Sequence, residues 1–269
     1  ELGGRVARER RLPGLSAWGR VLEYREYQIS QRPNVETYFD SHLDAEAIME
    51  FGFENICIAT GAKWRADGVA RQHVVPMPMD GSLPHYTPDD IMEGRKPKGR
   101  VVIFDDDHYY MGGVLAELLR SEGCEVTIIT PSAYLSDWTL NTLEQHTIHR
   151  RLAGMGVDIV LNRGVSRIAE GHVVSNCVYT GDARQHGCDA VVLVTSRREE
   201  NGLYLDLKAR EADWLDAGIR SVKIIGDANA PGPIAWATYA GHRYARELDE
   251  PDRGDALPFR REITELAAE

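Results

Sequence analysis

Three carboxylates and an imidazole stand in a row at Asp105-Asp106-Asp107-His108, the densest chemistry in this chain of 269 residues. Asp and His can together ligate a divalent cation. That reading lacks a second sequence element with ligand spacing. A solvated acidic turn that caps a helix needs no partner element, and is the stronger reading. A second place of interest is Ile225-Gly226-Asp227-Ala228. Glycine lets a backbone approach a ligand closely, and a helix N-terminus favours an anion. The Asp227 carboxylate can accept hydrogen bonds from the hydroxyls of a sugar or ribityl chain; its plain alternative is to cap the helix. The third place is Thr60-Gly61-Ala62, which supports the ligand reading of Asp227 if the two turns end parallel neighbouring strands. No residue is assigned a catalytic or a metal-binding role.

The elements that must position these residues are legible from hydrophobic pattern. Val101–Phe104 is a short continuous apolar run, as expected of a strand buried on both faces of a parallel sheet. Val114, Leu115, Leu118 and Leu119 recur at helical spacing, Gly123 closes that helix, and Val126–Ile129 begins a second apolar run. This is the βαβ opening of a dinucleotide-binding fold, but its phosphate fingerprint is broken. Asp105 and Asp107 occupy the first two glycine positions, and Gly112 serves as the third only with two extra residues. Like charges ~4 Å apart repel by roughly 1 kcal/mol in water and by more when buried. Thr130-Pro131 stands where the ribose-binding acid would be. No nicotinamide cofactor, NAD or NADP, is expected here.

Along the chain, Gly3-Gly4-Arg5 is a flexible turn. A helical segment runs from Leu15 to about Gln31, Val35–Phe39 reads as a strand, and Ala45–Phe51 as a short helix. Asn55–Ala59 is expected to be a buried strand leading into Thr60-Gly61. Five prolines between Lys63 and Lys98 mark a crossing segment, with Pro88 able to start a small helix. Beyond the βαβ unit come a helix over Asn141–Met155, strands at Val157–Leu161, Val165–Ile168 and His172–Tyr179, and a tight turn at Thr180-Gly181-Asp182. Asp189–Thr195 is a strongly apolar strand ending in Ser196-Arg197. Leu203–Gly218 reads as helix, Val222–Ile225 as strand, and Ile234–Leu248 as a helix whose Ala and Gly permit close approach; the tail from Glu250 is polar. One plan therefore occurs twice. The expected class is α/β, with two Rossmann-like domains having parallel sheets and small β meanders, the second inserted in the first. Their expected bounds are 1–98 with 198–269, and 99–197.

The net charge of −11 opposes binding to nucleic acid or to an anionic membrane. Cys57, Cys124, Cys177 and Cys188 have no zinc or iron–sulfur spacing, and Cys57 and Cys124, in or beside strands, are expected to be buried and reduced. No apolar run approaches the ~20 residues that span a bilayer. A cytoplasmic location is expected. The start at Glu1-Leu2-Gly3-Gly4 reads as the interior of a domain, and the chain as part of a longer polypeptide.

Gly3-Gly4-Arg5, Ala59-Thr60-Gly61, the second βαβ unit and Ile225-Gly226-Asp227 follow the order of glutathione-reductase-like flavoproteins. More closely, Ala59–Trp64, Asp105–Gly113, Trp138–Glu144 and Gly226-Asp227-Ala228-Asn229-Ala230-Pro231 resemble the C-terminal region of the trimethylamine, dimethylamine and histamine dehydrogenase group. The resemblance covers nearly the whole chain. It implies an N-terminal barrel elsewhere in the polypeptide, carrying FMN and a [4Fe–4S] cluster, that oxidises an amine C–N bond and passes electrons to an electron-transferring flavoprotein. It implies ADP, or the ADP part of FAD, in the first domain. Gly4 and Arg5 would lie beside the adenosine, Thr60, Gly61 and Ala62 beside the ligand backbone, and Gly226, Asp227 and Ala228 near the pyrophosphate. In the group, the first glycine fingerprint and the ribose-binding acid lie upstream of the counterpart of Glu1, so binding by this stretch alone is expected to be weak or absent. A homo-oligomer is expected. Tyr24 and Arg25, in an aromatic and arginine-rich segment, would face the acceptor flavoprotein. Two other readings stand beside this one: a reductase of the 2,4-dienoyl-CoA reductase type using FAD and NADPH, and a non-catalytic docking module.

Overall fold

The computed structural model describes residues 2–250; the polar tail lies, beyond Glu250, outside the described residues. In chain order the elements are α1 (Arg5–Glu9), α2 (Gly19–Ser30), α3 (Ala45–Phe51), β1 (Asn55–Ile58), β2 (Ala62–Trp64), β3 (His85–Tyr86), α4 (Pro88–Met92), β4 (Arg100–Asp105), α5 (Met111–Ser121) and β5 (Glu125–Ile129). Then follow α6 (Gln145–Gly154), β6 (Asp158–Val160), β7 (Arg163–Ala169), β8 (His172–Cys177), β9 (Ala183–Gly187), β10 (Ala190–Val194), β11 (Arg197–Glu199), α7 (Gly202–Ala209), β12 (Ser221–Ile224) and α8 (Ile234–Glu247).

The central feature is a parallel sheet in the order β3-β10-β4-β5-β6. Side chains alternate between its faces with period two. Val101, Ile103, Val192 and Val194 pack on one face against Leu115 and Leu119 of α5. Val102, Phe104, Val191 and Leu193 pack on the other against Val165, Ile168 and Val173 of the β7-β8-β9 meander. Burial on both faces explains why β4 and β10 read as unbroken apolar runs. Each such side chain contributes roughly 1.5–3 kcal/mol. The architecture is mixed α/β with a Rossmann-type parallel sheet. The sheet takes β3 from ahead of Lys98.

A second, two-stranded parallel pair joins β1 to β12, in register from Asn55↔Ser221 to Ile58↔Ile224. Ile58 and Val222 from this pair pack with Ile48 of α3, Leu207 of α7 and Trp214. An antiparallel pair, β2-β11, ties the chain leaving β1 to the chain leaving β10.

Several expectations are corrected. Residues 35–39 form no strand; they lie in an exposed run. Three of the four β1 residues are not buried, and Cys57 is exposed, because β12 is the only strand beside β1 among the described residues. The helix predicted from Asn141 begins only at Gln145, since Leu143 sits at φ 62°, a left-handed conformation that breaks helical propagation. The strand at His172 stops at Cys177, and Gly181 turns the chain into β9. That strand was missed because Ala-Arg-Gln-His-Gly has no apolar alternation. Leu203–Gly218 is not one helix: α7 ends at Ala209, and a 3-10 turn follows at Glu211–Asp213.

Candidate functional site

Parallel pairing of β1 and β12 brings their two following turns side by side. Ala59-Thr60-Gly61-Ala62 and Ile225-Gly226-Asp227 line one cavity of about 660 Å³, together with Gly4 and Arg5. Seven of the eight residues singled out from sequence therefore meet at one place. Ala228 does not; it is fully buried beneath the turn. Gly4, Gly61 and Gly226 all have positive φ. A Cβ added at Gly4 or Gly61 would meet no atom within 4 Å, so their backbones lie bare to the cavity. The helices α2 and α8 wall it with Leu22, Ile29, Ala237 and Gly241. The Ala and Gly of α8 thus face a space rather than a sheet.

Asp227 does not cap a helix. Its Oδ2 pairs with Arg197 at 2.9 Å and with Arg5 at 3.3 Å, and its Oδ1 accepts the Gly232 amide at 3.1 Å. Both guanidinium groups also donate to the Gly232 carbonyl, at 2.7 Å from Arg5 and 3.0 Å from Arg197. Two cations and one carboxylate thereby fix the turn after β12 against α1 and β11. Arg197 is not among the residues singled out from sequence, where Ser196-Arg197 only ends the apolar strand; in the fold it opens β11 and lies over the Trp64 ring. Glu9, fully buried, accepts the Tyr110 hydroxyl at 2.8 Å; burial raises its pKa, with the Arg5 charge pulling the other way.

The acidic stretch after β4 is neither solvated nor a helix cap. Asp105 and Asp106 are fully buried, and α5 begins without a side-chain cap. Asp105 Oδ1 accepts the His108 amide at 3.0 Å, while its Oδ2 has no partner. A Cβ at Gly112 would lie 2.6 Å from that carboxyl, so the one glycine retained here makes room for Asp105. Burial first, then the charge of Asp107, pushes the Asp105 carboxyl up to about 7. Asp106 takes His108 Nε2 at 3.1 Å and the Gln72 amide at 2.8 Å. Burial disfavours a charge on His108, but the bond to Asp106 and the nearby carboxylates outweigh it and raise its pKa. His108 itself holds φ 64°, in the left-handed region that few residues other than glycine adopt. Among the described residues, no group of three or more His, Cys, Asp or Glu is placed to hold a metal ion. Nor is any described helix long and apolar enough to cross a membrane.

Residues 86–204 match the family described as the OYE-like second alpha/beta domain. A dimethylamine dehydrogenase from Hyphomicrobium sp. (strain x) is 37% identical over 286 residues, covering 97% of this chain and 39% of that protein. The structure of histamine dehydrogenase from Rhizobium sp. 4-9 superposes with a TM-score of 0.96 at 66% identity, over 100% of this chain and 42% of that one. A 6-hydroxypseudooxynicotine amine oxidase from Pseudomonas geniculata N1 gives a TM-score of 0.85 at 43% identity, over 90% of this chain and 36% of that one. The chain thus spans well under half the length of each of these relatives.

Proposed function

The chain belongs to the trimethylamine, dimethylamine and histamine dehydrogenase group, and from that membership we propose that it is the nucleotide-fold portion of an amine-oxidising flavoprotein. The observation that carries this reading is the 66% identity to a histamine dehydrogenase over the whole of the chain. Oxidation of the amine C–N bond then takes place outside these residues, at a flavin-bearing barrel with FMN and a [4Fe–4S] cluster. Electrons leave to an electron-transferring flavoprotein. Histamine is the first substrate to test, with dimethylamine and trimethylamine beside it.

Within the chain we read two Rossmann-like units, 1–98 with 198–269 and 99–197, the second inserted in the first. Pairing of β1 with β12 across the intervening sequence supports the insertion. The first unit is the place for ADP or for the ADP part of FAD. The residues present fit such a group: bare backbone at Gly4 and Gly61 lets a nucleotide approach closely, the apolar walls of α2 and α8 suit adenine, and the Gly226-Asp227 turn takes the pyrophosphate end. Arg5 and Asp227 shape the cradle by holding each other and Gly232. Asp227 keeps Oδ1 capacity for a hydroxyl beside its one amide bond. When bound, the nucleotide supplies no chemistry to the amine; it fills and orders the unit. Tyr24, which is 62% exposed, and Arg25 on α2 are read as part of the acceptor-docking face. A cytoplasmic homo-oligomer completes the reading.

The test is turnover by the whole protein. Amine-dependent reduction of an electron-transferring flavoprotein or an artificial one-electron acceptor is expected, with no consumption of NADPH. NADPH-dependent reduction of an enoyl-CoA thioester without amine turnover would overturn the reading in favour of the reductase class. Substituting Tyr24 and Arg25 together is expected to slow reduction of the protein acceptor and leave the artificial one unaffected.

A further inference from the structure

A parallel sheet of this order takes ligands at the C-terminal ends of its strands, where the strand order reverses at β4. In this chain that crevice already has an occupant. Residues 67–77 form a loop closed by the Met77 amide on the Asp67 carbonyl and, at its tip, the Ala70 amide on the His73 carbonyl, both at 2.8 Å. The loop is tied down at four points. The Gln72 amide donates to Asp106 Oδ2 after β4, and the Ser196 hydroxyl donates to the Val69 carbonyl after β10. His73 Nε2 donates to the Val165 carbonyl on β7 at 2.6 Å. The Arg71 guanidinium lies 5.5 Å from the Trp138 ring centre, beyond β5. The Gln72 side chain lies against Gly164, where a Cβ would stand 1.7 Å from its Oε1, so the fit requires glycine there. Met77 is buried in the core beneath.

What stays open is a space of about 330 Å³ between Arg71, Gln72, Asp106, His108 and Trp138. That is the low end of the ~300–1,000 Å³ typical of small-ligand sites. Asp106 is the hub: it is fully buried, and its two oxygens hold the loop on one side and His108 on the other.

We propose that residues 67–77 are a resident strap latched by Asp106, and that this strap, in addition to the acids of the broken fingerprint, bars a nicotinamide dinucleotide from the second crevice. The proposal rests on the second unit being a nucleotide fold but is independent of amine turnover, which is assayed separately. Two barriers in one crevice can be separated by removing them in turn. Replacing Asp105 and Asp107 by glycine restores both fingerprint positions and leaves the latch. Adding Asp106→Ala frees the strap.

Hydrogen–deuterium exchange and NADH titration of the whole protein test this. In the unaltered protein the Gln72 amide is expected to be protected by at least about tenfold over a free loop, and Asp106→Ala is expected to remove that protection while the Val101–Phe104 amides stay slow. NADH should not saturate the Asp105→Gly/Asp107→Gly variant, and should bind at least about tenfold more tightly once Asp106→Ala is added. A double variant that binds NADH as well as the triple would overturn the proposal, as would a triple variant whose strap exchanges freely yet binds no better. Should the variants fail to fold, a rapidly exchanging Gln72 amide in the unaltered protein overturns it alone.

Discussion

The most unusual single residue is Asp105, a carboxylic acid sealed between the end of β4 and the first turn of α5 with one oxygen unpaired. Its pKa rises from 3.8 in the open chain to about 7 in the fold. The folded state therefore holds this proton more tightly than the unfolded state. Its contribution to stability is full below about pH 4 and is lost as pH climbs through about 7, by up to a few kcal/mol at ~1.4 kcal/mol per unit. Asp105→Asn, which cannot ionise, is expected to flatten that part of the melting-temperature profile; an unchanged slope between pH 4 and 7 would count against a buried neutral acid. Gly112→Ala probes the same contact from the helix. Its Cβ would fall 2.6 Å from the carboxyl, and a loss of about 1–3 kcal/mol in chemical denaturation is expected. At the other site, Arg197→Ala leaves Asp227 with Arg5 alone in a setting only 11–12% exposed. A cost of about 2 kcal/mol is expected, with weaker ADP binding because the Gly232 turn loses one of its two clamps.

At the scale of elements, short helices here depend on their ends. α4 has five residues, too few to stand by propensity, and is set by a capping box. The Thr87 hydroxyl accepts the Asp90 amide, the Asp90 carboxylate takes the Thr87 amide at 2.6 Å, and Pro88 fills the first turn. Thr87→Ala is expected to cost about 1 kcal/mol, readable as a lower denaturation midpoint at constant slope. This helix was legible from Thr87-Pro88-Asp89-Asp90 because its signal is local. α6 was misplaced at its start for the opposite reason. The chain before it is held by Trp138 donating to the His108 carbonyl and by the Glu144 amide on the Thr139 carbonyl, contacts that no helical periodicity reports. β9 was missed likewise: its strand character comes from pairing with β8, not from its own composition.

Across the whole molecule, the cavity between the β1 and β12 turns should respond to nucleotide as a unit. ADP at about a hundred times its dissociation constant would add about 2.7 kcal/mol to the stability of the intact protein, seen as a raised melting temperature. Gly61→Val, which fills bare space at φ 82°, is expected to abolish that rise; a rise that survives would place the nucleotide elsewhere. Hydrophobic pattern in the sequence specifies the central parallel sheet, since strands buried on both faces must be continuously apolar, and it marks the glycine turns after β1 and β12, although those two strands are only partly buried. The sequence also determined that the second fingerprint is broken, because glycine and aspartate differ at the level of the single residue. What took the place of the fingerprint emerges only when the chain packs. Burial of Asp105 and Asp106, the seat of residues 67–77 over their ends, and the reach of Arg197 to Asp227 all arise where segments distant in the chain meet. Desolvation and charge pairing depend on which neighbours displace water, and that is a property of the packed fold, absent from any one stretch of chain.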